Sequence, residues 1–203
     1  MRPTPLYNVV GALSWPLLYG VYRLDARGVE NLPDGGFVLA CNHISSFDPW
    51  PLGLPLWPRR FLRFMAKSEL YWWPLTLILN GAGAFPVHRG QGDVAAIETA
   101  VALAREGHVV AMFPEGTRRT KGLVKRFEAR PRSGAARIAL DAGVPLVPAA
   151  VKGTDRLSRL GKLSVAYGMA VEIDDLRGGD TAEAAREATE RLMARIYELE
   201  GSL

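Results

Sequence analysis

Short apolar runs recur along the chain and alternate with segments of helical period. Phe37-Val38-Leu39-Ala40-Cys41, Phe61-Leu62-Arg63-Phe64-Met65-Ala66, the run 109–113 and the run 146–151 are each brief and bounded by turn residues. Runs of this kind read as strands, most of them buried on both faces. Between them, residues 93–106 place Val94, Ile97, Val101 and Ala104 at helical spacing, and Gly107 closes the segment. Residues 134–142 are alanine-rich and end at Gly143. Residues 163–173 are strand-like. Asp180 with Glu183 forms a capping box with Asp in the Ser/Thr place, opening a last helix to about Glu200 with Leu192, Ile196 and Leu199 inward. The run 31–36, Asn-Leu-Pro-Asp-Gly-Gly, is a turn. Ser45-Ser46 offer cap chemistry for a short helix near Phe47, whose first turn tolerates Pro49 and Pro51. Strands alternating with helices predict an α/β class: a single domain with a mostly parallel central sheet flanked by helices. Ligands in such sheets collect beyond the carboxyl ends of strands.

The first residues follow a different pattern. From Pro3 to Tyr22 no residue is charged and most are apolar or aromatic. A spanning helix needs about 20 apolar residues. Gly11, Pro16 and Gly20 interrupt this stretch, while Tyr7, Trp15, Tyr19 and Tyr22 suit a membrane interface. We read residues 1–24 as a membrane-associating helical segment, a helix or broken pair over 5–24, ahead of a domain over 25–203. A core-packed helix and a spanning helix are the alternatives. The run 70–79, with Trp72-Trp73-Pro74, reads as a core helix or a second membrane-facing element.

Composition narrows the classes. With 203 residues, 48% hydrophobic and 23% charged, the chain can bury a core and is not disordered. Cys41 is the only cysteine, so no intramolecular disulfide or cysteine zinc site is available. His43, His88 and His108 form no HxxxH or HExxH pattern, which argues against a metal. A net charge of +4 suits an anionic membrane surface or a phosphorylated substrate. Nucleic acid fits poorly, because the basic stretch 118–132 lacks aromatics beyond Phe127.

Two constellations follow predicted strands directly. In Asn42-His43-Ile44-Ser45-Ser46-Phe47-Asp48, a turn would bring His43 to Asp48, leaving one imidazole nitrogen free to take a proton. The bland reading is a turn histidine with a capping aspartate. In Phe113-Pro114-Glu115-Gly116-Thr117-Arg118, Gly116 lets backbone approach a ligand and Arg118 offers a fork for phosphate oxygens. The bland reading is a solvated Pro-Gly turn. Arg89, in Phe85-Pro86-Val87-His88-Arg89, is a further phosphate candidate, or a plain surface arginine. A covalent route through Cys41, Ser45 or Ser46 would describe a thioesterase or lipase, although no G-x-S-x-G elbow is present. A non-catalytic lipid-binding domain is a third reading.

In order and placement the blocks N-H-I-S-S-F-D-P at 42–49, F-P-V-H-R at 85–89, F-P-E-G-T-R at 113–118 and V-P-L-V-P at 144–148 resemble the glycerophospholipid acyltransferase superfamily. The likeness covers about half the chain and points to its 1-acyl-sn-glycerol-3-phosphate acyltransferases. It implies acyl transfer from acyl-CoA or acyl carrier protein to the sn-2 hydroxyl of lysophosphatidate, at the cytoplasmic face of a membrane, peripheral or monotopic, with no cofactor beyond the thioester co-substrate. It implies His43 as general base and Asp48 as its orienting partner. Arg89, Glu115, Gly116 and Arg118 would hold the acceptor, and Lys67 would stand near its phosphate. Backbone amides near Gly116 are candidates for the thioester oxyanion. Another lysolipid, a glycolipid or an aminolipid is the alternative acceptor. The segment 121–133 departs from the pattern, being more basic and broken by proline.

Overall fold

The computed structural model describes residues 3–87, 94–117, 120–121, 125–126, 131–178 and 180–203. The elements in chain order begin with α1 (Pro5–Pro16), which passes through a π-helical turn (Leu17–Val21) into β1 (Asp25–Arg27). Then come β2 (Phe37–Cys41), α2 (Pro49–Gly53), β3 (Leu62–Lys67), α3 (Leu75–Gly81), β4 (Ala84–Val87), α4 (Val94–Arg105) and β5 (Val109–Met112). A small antiparallel ribbon, β6 (Thr120–Lys121) with β7 (Lys125–Arg126), precedes α5 (Gly134–Ala142), β8 (Leu146–Lys152), β9 (Ser164–Tyr167) and α6 (Thr181–Ser202).

Seven strands form one sheet in the order β1-β9-β8-β2-β5-β3-β4, and every pairing is parallel except β8 with β9. The predicted α/β architecture is therefore present, with two strands reversed at one edge. β2 lies at the centre, registering Phe37 with Val109 of β5 and Val38 with Leu146 of β8. Its side chains alternate between two cores, as a strand must. Phe37, Leu39 and Cys41 face the core under α2 and the π-turn, with Leu18, Leu52 and Tyr167. Val38 and Ala40 face the core under α4, α5 and α6, with Ile138, Leu192 and Ile196.

Several expectations shift in detail. β1 and β4 were not foreseen, because one is short and charged and the other carries Pro86. α4 buries the alanines Ala96, Ala100 and Ala104, while Val94 is exposed and Ile97 and Val101 are half-buried. Small side chains let this helix lie close to the sheet and α5. Residues 163–173 yield only the short β9, since Gly168 turns its N–H to Pro148 O and Val171 makes a single bridge to Leu146. α3 starts five residues later than the apolar run at 70, because Pro74 cannot sit inside a helix and stands at its N-cap. Neither Ser45 nor Ser46 caps α2; Asp48 is the N-cap residue and its side chain is turned elsewhere.

α1 lies on the domain as one wall. Thr4 Oγ1 accepts the Tyr7 N–H and donates to Gly81 O, and Trp57 Nε1 donates to Asn8 Oδ1 at 3.1 Å. Among the described residues, no helix is long and apolar enough to cross a membrane.

Candidate active site

The carboxyl ends of β2, β8, β5 and β3 converge on one rim, where β2 runs out at Cys41 and the chain must turn. Asn42 makes the turn rigid. Its side-chain amide donates to Val151 O at 3.0 Å and accepts the Val151 N–H at 2.8 Å, stitching the loop to β8. Both polar groups of a fully buried amide are thereby satisfied.

His43 and Asp48 meet as the sequence suggested. His43 Nδ1 lies 2.8 Å from Asp48 Oδ2. That oxygen also accepts the N–H groups of Ile44 at 2.7 Å and Ser45 at 2.9 Å, and Oδ1 accepts the Thr154 hydroxyl at 2.5 Å. Four donors thus surround a carboxylate that has no exposed surface, offsetting the cost of burying it. A carboxylate oxygen only accepts, so Nδ1 carries the imidazole proton and Nε2 presents its lone pair. The His43 ring stacks on Phe113, centroids 4.3 Å apart and planes 23° from parallel, and 13% of its side chain is exposed. The imidazole is held on one edge by Asp48 and on one face by Phe113, and it lines a cavity.

That cavity encloses about 400 Å³ and is predominantly apolar. His43, Phe113 and Lys67 stand around it, and it runs between α1 and the domain past Tyr7, Gly11, Trp57 and Leu62. Lys67, at the end of β3, is exposed and shares the cavity with His43. Glu115 is buried in the turn after β5. Gly116 has φ 65°, a conformation glycine adopts without strain, and its N–H donates to Phe113 O at 2.9 Å. That amide is spoken for, so it does not supply an oxyanion donor. Arg89 and Arg118 lie outside the described residues, as does His88.

Cys41 is fully buried and its Sγ lies 3.2 Å from Asn42 Oδ1, on the core side of the sheet. It has no access to the cavity, which leaves a cysteine nucleophile without support. Ser45 Oγ accepts the Phe47 N–H at 3.3 Å and shapes the loop. Two residues escaped sequence reasoning. Thr154 lies 106 residues from Asp48 along the chain, and no local pattern marks it. Arg132 packs against Gly116, and no motif marks it.

Comparisons with known proteins agree with this geometry. The family described as Acyltransferase matches residues 23–152. A 1-acyl-sn-glycerol-3-phosphate acyltransferase of Bacillus subtilis is 36% identical over 182 residues, covering 86% of each chain. A chloroplastic 1-acyl-sn-glycerol-3-phosphate acyltransferase of Brassica napus is 31% identical over 149 residues, which is 71% of this chain and 41% of that one. The crystal structure of the 1-acyl-sn-glycerophosphate acyltransferase PlsC from Thermotoga maritima superposes with a TM-score of 0.66 at 25% identity, covering 95% of this chain and 78% of that one. The H-x4-D turn, its cavity and these matches place the chain in the acyltransferase family, within the branch of the 1-acyl-sn-glycerol-3-phosphate acyltransferases.

Proposed function

We propose that the protein transfers a fatty acyl group from a thioester donor, acyl-CoA or acyl carrier protein, to the sn-2 hydroxyl of 1-acyl-sn-glycerol 3-phosphate. The observation that carries the reading is the His43–Asp48 pair on the wall of a predominantly apolar cavity of about 400 Å³. His43 Nε2 takes the proton of the acceptor hydroxyl as its oxygen attacks the thioester carbonyl. The tetrahedral centre collapses, the C–S bond breaks, and the departing sulfur receives that proton from His43. The thioester is already activated, so no acyl-enzyme is required. Catalysis comes from placing the base and holding two substrates together. Asp48 fixes the tautomer and supports the imidazolium that forms. Lys67, with Arg89 and Arg118, attracts the acceptor phosphate, and the buried Glu115 and the turn at Gly116 shape that site.

A membrane surface is the setting we infer. Leu13 is 71% and Trp73 80% exposed, and Val9, Trp15, Trp72, Leu77 and Ile78 are also exposed on α1 and around α3. These apolar groups flank the cavity, and both lipid substrates partition into bilayers. Peripheral or monotopic attachment at the cytoplasmic face fits the acyl donors.

The test is acyl transfer from radiolabelled palmitoyl-CoA to lysophosphatidate in mixed micelles. His43→Ala lowers kcat by at least about 10²–10⁴-fold in a protein that still folds. A His43→Ala protein that keeps full activity, or a wild type that releases free fatty acid in place of phosphatidate, would falsify the proposal.

A further inference from the structure

The notch at Gly116 is occupied by this chain's own guanidinium. A Cβ placed on Gly116 would come 2.8 Å from Arg132 Nε and 2.9 Å from its Cδ, closer than side-chain atoms approach. The Arg132 N–H donates to Pro114 O at 2.8 Å, so backbone and side chain both grip the turn after β5. Arg132 is exposed, and no described carboxylate forms an ion pair with it. The sheet order β2-β5-β3 sets that turn between the strand that ends at His43 and the strand that ends at Lys67. Phe113 in the same turn stacks on His43. Arg132 is therefore fixed against the turn that carries Phe113, the ring stacked on His43, and the missing side chain of Gly116 makes room for it.

The geometry points to Arg132 as a binding residue for a phosphate monoester, and we assign that group to the lysolipid acceptor. The inference rests on the function proposed above and adds a residue that the sequence motifs do not contain. A planar fork suits a phosphate dianion, and among the described residues this guanidinium has no carboxylate partner to give up. The role of Gly116 changes with it: the turn makes room for an arginine rather than for substrate backbone contact.

The experiment is steady-state acyl transfer by the full chain with lysophosphatidate and acyl-CoA varied separately, and with 1-monoacylglycerol as a phosphate-free acceptor. Arg132→Ala is expected to raise the KM for lysophosphatidate about ten- to a hundredfold, with kcat and the KM for acyl-CoA little changed. Its preference for lysophosphatidate over monoacylglycerol shrinks by the same factor. Arg132→Lys recovers part of the loss, since a point charge replaces a fork. Gly116→Ala reproduces the defect and adds little to Arg132→Ala, because both displace one group. Melting temperatures of the Arg132 variants stay at the wild-type value. An unchanged KM for lysophosphatidate, a rise confined to acyl-CoA, or defects of the two substitutions that simply multiply would each overturn the assignment. A wild type that transfers nothing to lysophosphatidate is a separate failure, that of the function itself.

Discussion

Thr154 Oγ1 stands 2.5 Å from Asp48 Oδ1, and both groups are buried. The hydroxyl answers the one carboxylate oxygen that the His43 loop does not reach. Thr154→Val keeps the shape and removes the donor. It should lower the free energy of unfolding by about 1–3 kcal/mol, read by urea denaturation. It should also reduce kcat with little change in KM, while Thr154→Ser preserves both. The imidazole at 108 makes stability depend on pH. His108 is 2% exposed, its Nε2 has no hydrogen-bond partner among the described residues, and Glu106 Oε2 is 4.0 Å away. Burial, and then the nearby Arg63 charge, push its pKa below the ordinary value. The unfolded chain therefore binds this proton more readily than the folded one. Stability is complete above about pH 6.5 and falls as the pH drops toward the depressed folded value. His108→Gln should flatten that acid limb between pH 7 and pH 5 in urea midpoints.

At the level of elements, α1 is both wall and clamp. Gly11 faces the Trp57 indole so closely that a Cβ would lie 2.6 Å from Nε1. Gly11→Val should push α1 off the cavity, costing about 1–3 kcal/mol as overpacking does, read by thermal unfolding. Transfer of long acyl chains should slow more than transfer of short ones. How well the elements could be foreseen follows from where their side chains go. β2, β5 and β8 are buried on both faces, so their sequences are nearly pure apolar runs. β1 reads Asp-Ala-Arg because it is an edge strand beside β9, and nothing local distinguishes it from loop. The helical period of α4 was visible, but the residues that pack tightest are alanines, which carry little hydrophobic signal. At the site, His43 and Asp48 lie within one loop and were legible together. Thr154 reaches it from the turn after β8, a strand beside β2 in the sheet, and no short motif encodes that.

For the molecule as a whole, α1 and α3 both contribute to the cavity wall and both carry exposed apolar groups. If they contact lipid, paired Leu13→Asp and Trp73→Asp substitutions should reduce cosedimentation with phospholipid vesicles. They should leave stability within about 0.5 kcal/mol, since neither side chain is buried. Unchanged cosedimentation would mean that another surface carries the attachment. The +4 net charge adds a long-range attraction to anionic lipid that weakens with salt.

α1 turns Tyr7, Gly11 and Ser14 inward and Leu13 and Trp15 outward, so a single helix is at once the roof of the apolar cavity and the outer skin of the protein. A tail sliding out of a bilayer beneath that helix would meet the imidazole without passing through water. Turnover should consequently jump once the lysolipid concentration exceeds the threshold for aggregation, and a rate curve that rises smoothly through that threshold would mean that substrates arrive from solution one molecule at a time.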